Sequence, residues 1–385
     1  MKQVARSGDR PLPSWSAALG TAALVLILIL SPDRTRAAGF DDAPARCRAL
    51  GLADFSQVQD APTQVIETKL VDTSRESPGY CEVSGYVSPN VGFLLRLPTN
   101  NWNGKFIEQG CGGYCGNYRF ITWCDNALRR GYTCIVSDGG HKSARDAKWA
   151  YNNLQAEIDL GFRAPHVTAI AGKAITERYY SQTPKKSYFM GCSTGGRQAL
   201  MEAQRFPWDF DGWKPEDFDF DRDYKRLGIA EGLYAAGNPD LRKFKAAGGK
   251  LISYTGWNDA AGMPLAAADY YEIAEKALGG RAATQDFFRL FMLPGVDHCS
   301  GGDGAFAVDW LSYLEAWVEK HQAPDKIISS HVKLDNHDEA YQLKFPLDPA
   351  RIEFSRPVFP YPTRVQYSGY GDPKDAASFG PAKSL

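Results

Sequence analysis

Three residues of this chain stand where a hydroxyl could become a nucleophile. "GCSTGG" sets Ser193 in a G-x-S-x-G pattern, "GWNDAAG" carries Asp259 and "VDHCSGG" carries His298. A serine hydroxyl is a weak nucleophile until a base takes its proton, and an imidazole base needs an acid to orient it. The order Ser, Asp, His suits hydrolases whose acid and base ride on loops after later strands. Small residues around Ser193 let the backbone turn sharply. Such a turn lifts the hydroxyl above a sheet and aims the amide of Thr194 at a substrate oxyanion. A second amide has to come from an earlier glycine-rich turn, and "QGCGGYCG" offers Gly112 or Gly113.

Other histidines compete for the role of base. His321, His331 and His337 lie late, in helix-end or irregular segments, and His166 sits in a helical run as a packing or capping residue. His141, in "SDGGHKS", follows a strand but precedes Ser193, so it is a candidate substrate-pocket residue instead. His298 has the right order and lies on a loop. Asp297 is the nearest rival acid, but it adjoins His298 and can hardly orient that ring from the far side.

A cysteine touches each end of this constellation: Cys192 precedes Ser193 and Cys299 follows His298. A working Ser–His contact of roughly 3 Å draws the neighbouring backbones into the Cα separation of about 4.4–6.8 Å that a disulfide needs. A Cys192–Cys299 bridge would therefore tie nucleophile loop to base loop. The x position of G-x-S-x-G points away from the site, which argues against Cys192 as the nucleophile. Cys47, Cys81, Cys111, Cys115, Cys124 and Cys134 complete an even set. Cys47 with Cys81 is the preferred pair, both lying away from the glycine-rich loop. "CGGYC" with Cys124 and Cys134 does not have the spacing of paired C-x-x-C zinc knuckles.

The elements that must hold these residues alternate. Strand patterns fill 63–100 and recur in "KFIEQG" (105–110), "YTCIVSDGG" (132–140), "KKSYFMG" (185–191), "KLISYTGW" (250–257) and "FFRLFMLPG" (287–295). Helical periodicity marks 154–180, 197–205, 264–280 and 305–321. Strands alternating with helices predict an α/β fold, a mostly parallel sheet flanked by helices. With 44 basic and 45 acidic residues the net charge is −1, so no charge excess exists to neutralise a nucleic acid.

The N-terminus reads as an export signal. Lys2, Arg6 and Arg10 precede an apolar run from Ala17 to Leu30, then Pro32 and small residues suited to cleavage after Ala37 or Ala38. The apolar run falls short of the roughly 20 residues of a transmembrane helix. Residues 1–38 are thus expected to be a signal peptide and 39–385 a secreted or periplasmic catalytic domain, with no stable membrane association after cleavage. An oxidising compartment also suits the cysteines.

With "GCSTGGRQALMEAQRFPWDFDG", "GWNDAAG", "VDHCSGG", "QGCGGYCG" and the C-terminal "RPVFPYPTRVQYSGYGDPKDAASF" in hand, the chain resembles the tannase/feruloyl esterase family of secreted serine esterases. The resemblance covers nearly the whole mature chain. It implies an α/β-hydrolase fold and a CS–D–HC arrangement that falls here on Ser193, Asp259 and His298, with a bridge between Cys192 and Cys299. The implied substrates are small esters of aromatic acids such as feruloyl or galloyl groups. Family members insert a large lid with a calcium site between the Ser-bearing helix and the Asp-bearing strand. Here 207–225 makes a short acidic connector instead, so the lid is expected to be absent or vestigial and its calcium lost with it. Asp209, Asp211, Asp217, Asp219, Asp221 and Asp223 lack the pattern of an EF-hand. They read as solvated connector, with no metal or cofactor expected. The alternative reading is a lid-less remnant that binds but turns over poorly.

Overall fold

In a computed structural model, residues 42–74, 77–209 and 235–382 are described. The expected signal peptide 1–38 and residues 210–225 of the connector lie outside them. β1 (Thr63–Val71), β2 (Tyr80–Val87) and β3 (Val91–Pro98) form an antiparallel meander. β4 (Lys105–Gln109), β5 (Thr133–Ser137) and β6 (Lys186–Met190) complete the sheet in the order β1-β2-β3-β5-β4-β6. β4 pairs parallel with both β5 and β6, while β5 pairs antiparallel with β3. β7 (Leu251–Gly256) and β8 (Phe288–Leu293) form a separate parallel pair. β9 (Ile327–Val332) and β10 (Ile352–Val358) pair antiparallel, as do β11 (Val365–Tyr367) and β12 (Phe379–Pro381).

The α/β class holds, but the sheet is mixed rather than mostly parallel. The cause is connection length: only residues 88–90 join β2 to β3, and a parallel return needs a crossover of a dozen residues or more. Parallel pairing begins where helices are available to cross over.

Those helices are α1 (Ala43–Leu50), α2 (Asp125–Arg129), α3 (Leu154–Ile158), α4 (Ala164–Tyr180) and α5 (Thr194–Arg205) in the first half. α6 (Arg242–Ala246), α7 (Pro264–Ala277), α8 (Arg281–Gln285) and α9 (Trp310–Lys320) follow. A π turn, Asp159–Arg163, joins α3 to α4, so the periodic run 154–180 is one helical stretch with a local expansion. α9 starts later than its apolar pattern suggests. Asp309 caps it by accepting from the Ser312 amide, and Ala307 upstream bridges to Ser330.

Alternation along the strands feeds two cores. Phe93, Leu95, Phe106 and Ile135 pack with Val167, Ala171 and Ile175 of α4 on one face. Ile107, Cys134, Val136 and Tyr188 pack with Ala127 of α2 and Leu311 of α9 on the other. The sheet that ends at Ser193 is therefore covered on both sides. Disulfides join Cys47 to Cys81, Cys111 to Cys115, Cys124 to Cys134 and Cys192 to Cys299.

Two sequence expectations change. His331 lies on β9, not in an irregular segment, and its Nδ1 is 2.7 Å from the Gly304 carbonyl oxygen. Asp209 is buried, not solvated: His166 and Lys173 of α4 both hydrogen-bond to it, which offsets its removal from water.

α4 approaches the sheet closely at Gly172, where an added Cβ would stand 2.7 Å from Phe106 Cε2 and 3.0 Å from Ile135 Cδ1. Alanine normally gains about 1 kcal/mol over glycine inside a helix. Overpacking against two fully buried side chains costs about 1–3 kcal/mol and should win. Gly172→Ala is expected to lower the urea midpoint without changing the slope; a raised midpoint would show that the core yields.

Candidate active site

Ser193 sits between β6 and α5 with φ 58° and ψ −123°, a conformation that side-chain-bearing residues rarely adopt. Three glycines make the turn sterically possible. A Cβ on Gly191 would lie 2.5 Å from the Gly195 carbonyl carbon, and one on Gly110 2.7 Å from Gly195 Cα. Backbone stands directly on backbone here, so the loop after β4 reaches the first turn of α5.

That loop, Cys111–Cys115, is closed by its own disulfide and pinned at two points. Thr194 Oγ1 donates to the Gly113 carbonyl at 2.8 Å, and the Cys111 amide donates to Gln198 Oε1 at 3.2 Å. Gln198 is buried one turn along α5. Among the described residues the amides of Gly112, Gly113 and Thr194 have no hydrogen-bond acceptor. Two free donors from one loop and one from a helix start are the components of an oxyanion hole.

Asp259 follows β7 on a tight turn. Its Oδ1 accepts from the amides of Ala261 at 2.9 Å and Gly262 at 2.6 Å. Any side chain at Gly262 would collide with the Asp259 carboxylate. His298 Nδ1 lies 2.9 Å from both Asp259 oxygens. An ionised carboxylate has no proton to give, so Nδ1 is the donor and Nε2 is left as an acceptor. Burial works to raise the Asp259 pKa, but the hydrogen bond from His298 and those from Gly262 and Ala261 outweigh it. The carboxyl is thus held below its ordinary value. Its ionised form stabilises the fold above the unfolded pKa, and that contribution is lost as pH falls through the depressed folded value.

The His298 loop is held from three directions. Tyr254 of β7 donates to the Cys299 carbonyl at 3.0 Å, Tyr341 donates to the His298 carbonyl at 3.3 Å, and Ser300 Oγ donates to the Ala340 carbonyl at 2.8 Å. Burial pushes the Tyr254 pKa up to about 12, so its hydroxyl remains a donor at physiological pH. The Cys192–Cys299 disulfide, Cα to Cα 5.8 Å, then fastens this loop to the Ser193 turn. His298 keeps 36% of its side chain exposed, open to a substrate. Among the described residues Ser193 and His298 share no hydrogen bond, a contact that in ligand-free hydrolases often tightens only with substrate bound.

His141 is buried and stacks on Trp149 at 3.8 Å, and Trp149 meets Tyr114 of the disulfide-closed loop edge-on at 6.3 Å. Burial pushes its imidazole below the ordinary value, with the backbone of Tyr114 and Gly139 opposing. Trp149 thus links His141 to the disulfide-closed loop. Gln198, Tyr254 and Tyr341 escape a reading of the sequence because their partners lie far along the chain.

The family model for tannase and feruloyl esterase matches this chain in two blocks, residues 75–215 and 214–382. The chain belongs to the tannase and feruloyl esterase family. It is accordingly a carboxylic ester hydrolase, with the α/β-hydrolase fold. Among curated relatives, an uncharacterised esterase of Xanthomonas campestris is 25% identical over 502 aligned positions that take in 78% of this chain and 84% of the relative. A mono(2-hydroxyethyl) terephthalate hydrolase of Piscinibacter sakaiensis is 24% identical, with 78% of this chain and 84% of the relative covered. Among solved structures, feruloyl esterase B from Aspergillus oryzae superposes with a TM-score of 0.70 at 18% identity, covering 88% of this chain and all of the other (100%).

The Cys192–Cys299 bridge closes the longest interval of the four, 107 residues, for which chain entropy alone gives about 4–5 kcal/mol. Replacing both cysteines by alanine is expected to cost about 2–5 kcal/mol in urea unfolding, with the other three bridges intact. A midpoint equal to that of the parent would show that the link is dispensable to the fold.

Proposed function

We propose that this family member is an exported serine esterase acting on esters of aromatic acids, with Ser193 as nucleophile, His298 as general base and Asp259 as its orienting acid. The observation that carries the reading is the His298 Nδ1–Asp259 pairing on a loop bonded through Cys299 to the residue beside Ser193. Ser193 attacks the ester carbonyl and His298 Nε2 takes its proton. The Thr194 amide, with that of Gly112 or Gly113, receives the developing oxyanion. His298 returns the proton to the departing alcohol, and water repeats the sequence to free the acid. No step calls for a metal or cofactor.

Exposed aromatic and apolar side chains surround these positions in the chain: Tyr114 on the oxyanion loop, and Trp257, Met263 and Leu265 flanking Asp259. They favour a flat aromatic acyl group. The feruloyl esterases and the terephthalate-ester hydrolase among the relatives support that choice.

Our reading also holds that the family's inserted lid is missing. The two matched blocks of the family model meet at residues 214–215, inside the 207–225 connector. The alignment with the Xanthomonas esterase needs 502 positions to cover 78% of a 385-residue chain, so many positions of the relative have no counterpart here. A site without a roof excludes less water and positions its substrate less firmly. Export rests on the sequence of residues 1–38 and on the four disulfides, which suit an oxidising compartment. Among the described residues no helix is long and apolar enough to cross a membrane.

Methyl ferulate, mono(2-hydroxyethyl) terephthalate and p-nitrophenyl acetate test this reading. Ser193→Ala should abolish turnover of all three, and Asp259→Asn should lower kcat by about 10⁴-fold with little change in KM. Activity in Ser193→Ala equal to that of the parent would end the triad assignment. Trp257→Ala should raise KM for the aromatic esters about two- to tenfold, as loss of one aromatic contact does, and leave the acetate nearly unchanged. Equal effects on both substrates would remove Trp257 from acyl recognition.

A further inference from the structure

A second cluster of titratable groups lies along α5, away from the Ser193 turn, and ester cleavage makes no use of it. Glu108 comes from β4, His166 and Lys173 from α4, Glu202 from the later part of α5, and Asp209 from just beyond it. Glu108 is 1% exposed, Glu202 2% and Asp209 4%. His166 Nδ1 lies 2.6 Å from Asp209 Oδ2, and its ring stacks on Phe206 at 3.8 Å. Lys173 donates to the Asp209 backbone oxygen. Both Glu202 oxygens and Oε2 of Glu108 are buried without a hydrogen-bond partner.

Three carboxyls therefore share an enclosed space with one ammonium and one imidazole. An uncompensated buried charge costs several kcal/mol, so such a group takes up a proton or a cation. Protonation alone is an incomplete remedy: a proton shared between Glu202 and Asp209 leaves the other Glu202 oxygen and Oε2 of Glu108 unpaired. A multivalent cation offers charge and lone-pair partners together. The ligand atoms of His166, Glu202 and Asp209 already lie within 4.8 Å of one another. A small rotamer adjustment brings them around an ion bonded at about 2.0–2.2 Å.

We propose that His166, Glu202 and Asp209 bind a divalent first-row metal ion of the zinc or manganese type, which clamps the end of α5 to α4. One imidazole nitrogen with two carboxylates is a donor set for such ions. Calcium prefers six to eight oxygens and gains little from imidazole. Glu202 is eight residues past Thr194, about 12 Å along the helix at 1.5 Å per residue. The ion is thus structural and takes no part in the reaction at Ser193.

The test uses the whole chain, stripped with a chelator, offered zinc, manganese or calcium chloride in turn, and passed through a desalting column. Zinc or manganese should remain at about one ion per chain by elemental analysis, and should raise the melting temperature by several degrees. Glu202→Gln and His166→Gln should each lose the bound ion and the metal-dependent rise, while Ser193→Ala keeps both. If Glu202→Gln does not fold, the metal content of the parent and of His166→Gln decides. No retained ion in the parent, a response to calcium alone, or retention in both variants equal to the parent would overturn the proposal. Because Ser193→Ala serves as a positive control, the outcome is independent of the esterase mechanism.

Discussion

Ser193 ends a strand of the six-stranded sheet, whereas Asp259 and His298 stand beyond the two strands of a separate parallel pair. The triad geometry we propose would therefore have to be maintained between two hydrogen-bonded assemblies. The Cys192–Cys299 link spans that division at the level of the chemistry, one residue from the hydroxyl on one side and one from the imidazole on the other. Tyr254 extends the same restraint, since it rises from β7 and holds the Cys299 carbonyl. Much of the remaining architecture serves to keep the two ends of this bridge rigid. Interlocked glycines do so beneath Ser193, and the Asp259 turn does so beside His298.

What can be read in the sequence follows from how locally each feature is encoded. The Ser193 turn needs its small neighbours within three positions, so "GCSTGG" announces it. Asp259 and His298 stand out because each sits just past an apolar strand, and chain order together with loop placement sets His298 apart from five other histidines. Gln198 is another matter: its partner Cys111 is 87 positions away, and nothing near either residue signals the contact. Tyr254 and Tyr341 are hidden for the same reason.

The misread elements share a cause as well. The mixed sheet follows from loop lengths, which strand periodicity does not report. β11 and β12, three residues each, are too short to show alternation. Asp209 resembles its acidic neighbours in sequence, yet a histidine in the first turn of α4 and a lysine in its third bring it inside. Composition reads a run of aspartates as wet. Only the packed helix shows that Asp209 lies inside.

The disulfides have a connectivity whose meaning lies in biogenesis. Each cysteine is bonded to the next cysteine along the chain, the four intervals being 34, 4, 10 and 107 residues. No bridge crosses or encloses another. An oxidase that joins thiols two at a time as they emerge from a translocation pore would arrive at the native set directly. Exported as we propose and oxidised in that order, the chain would need no correction of its pairings. The last bond, which brings the serine and histidine loops together, cannot close until all earlier ones have had the chance to form.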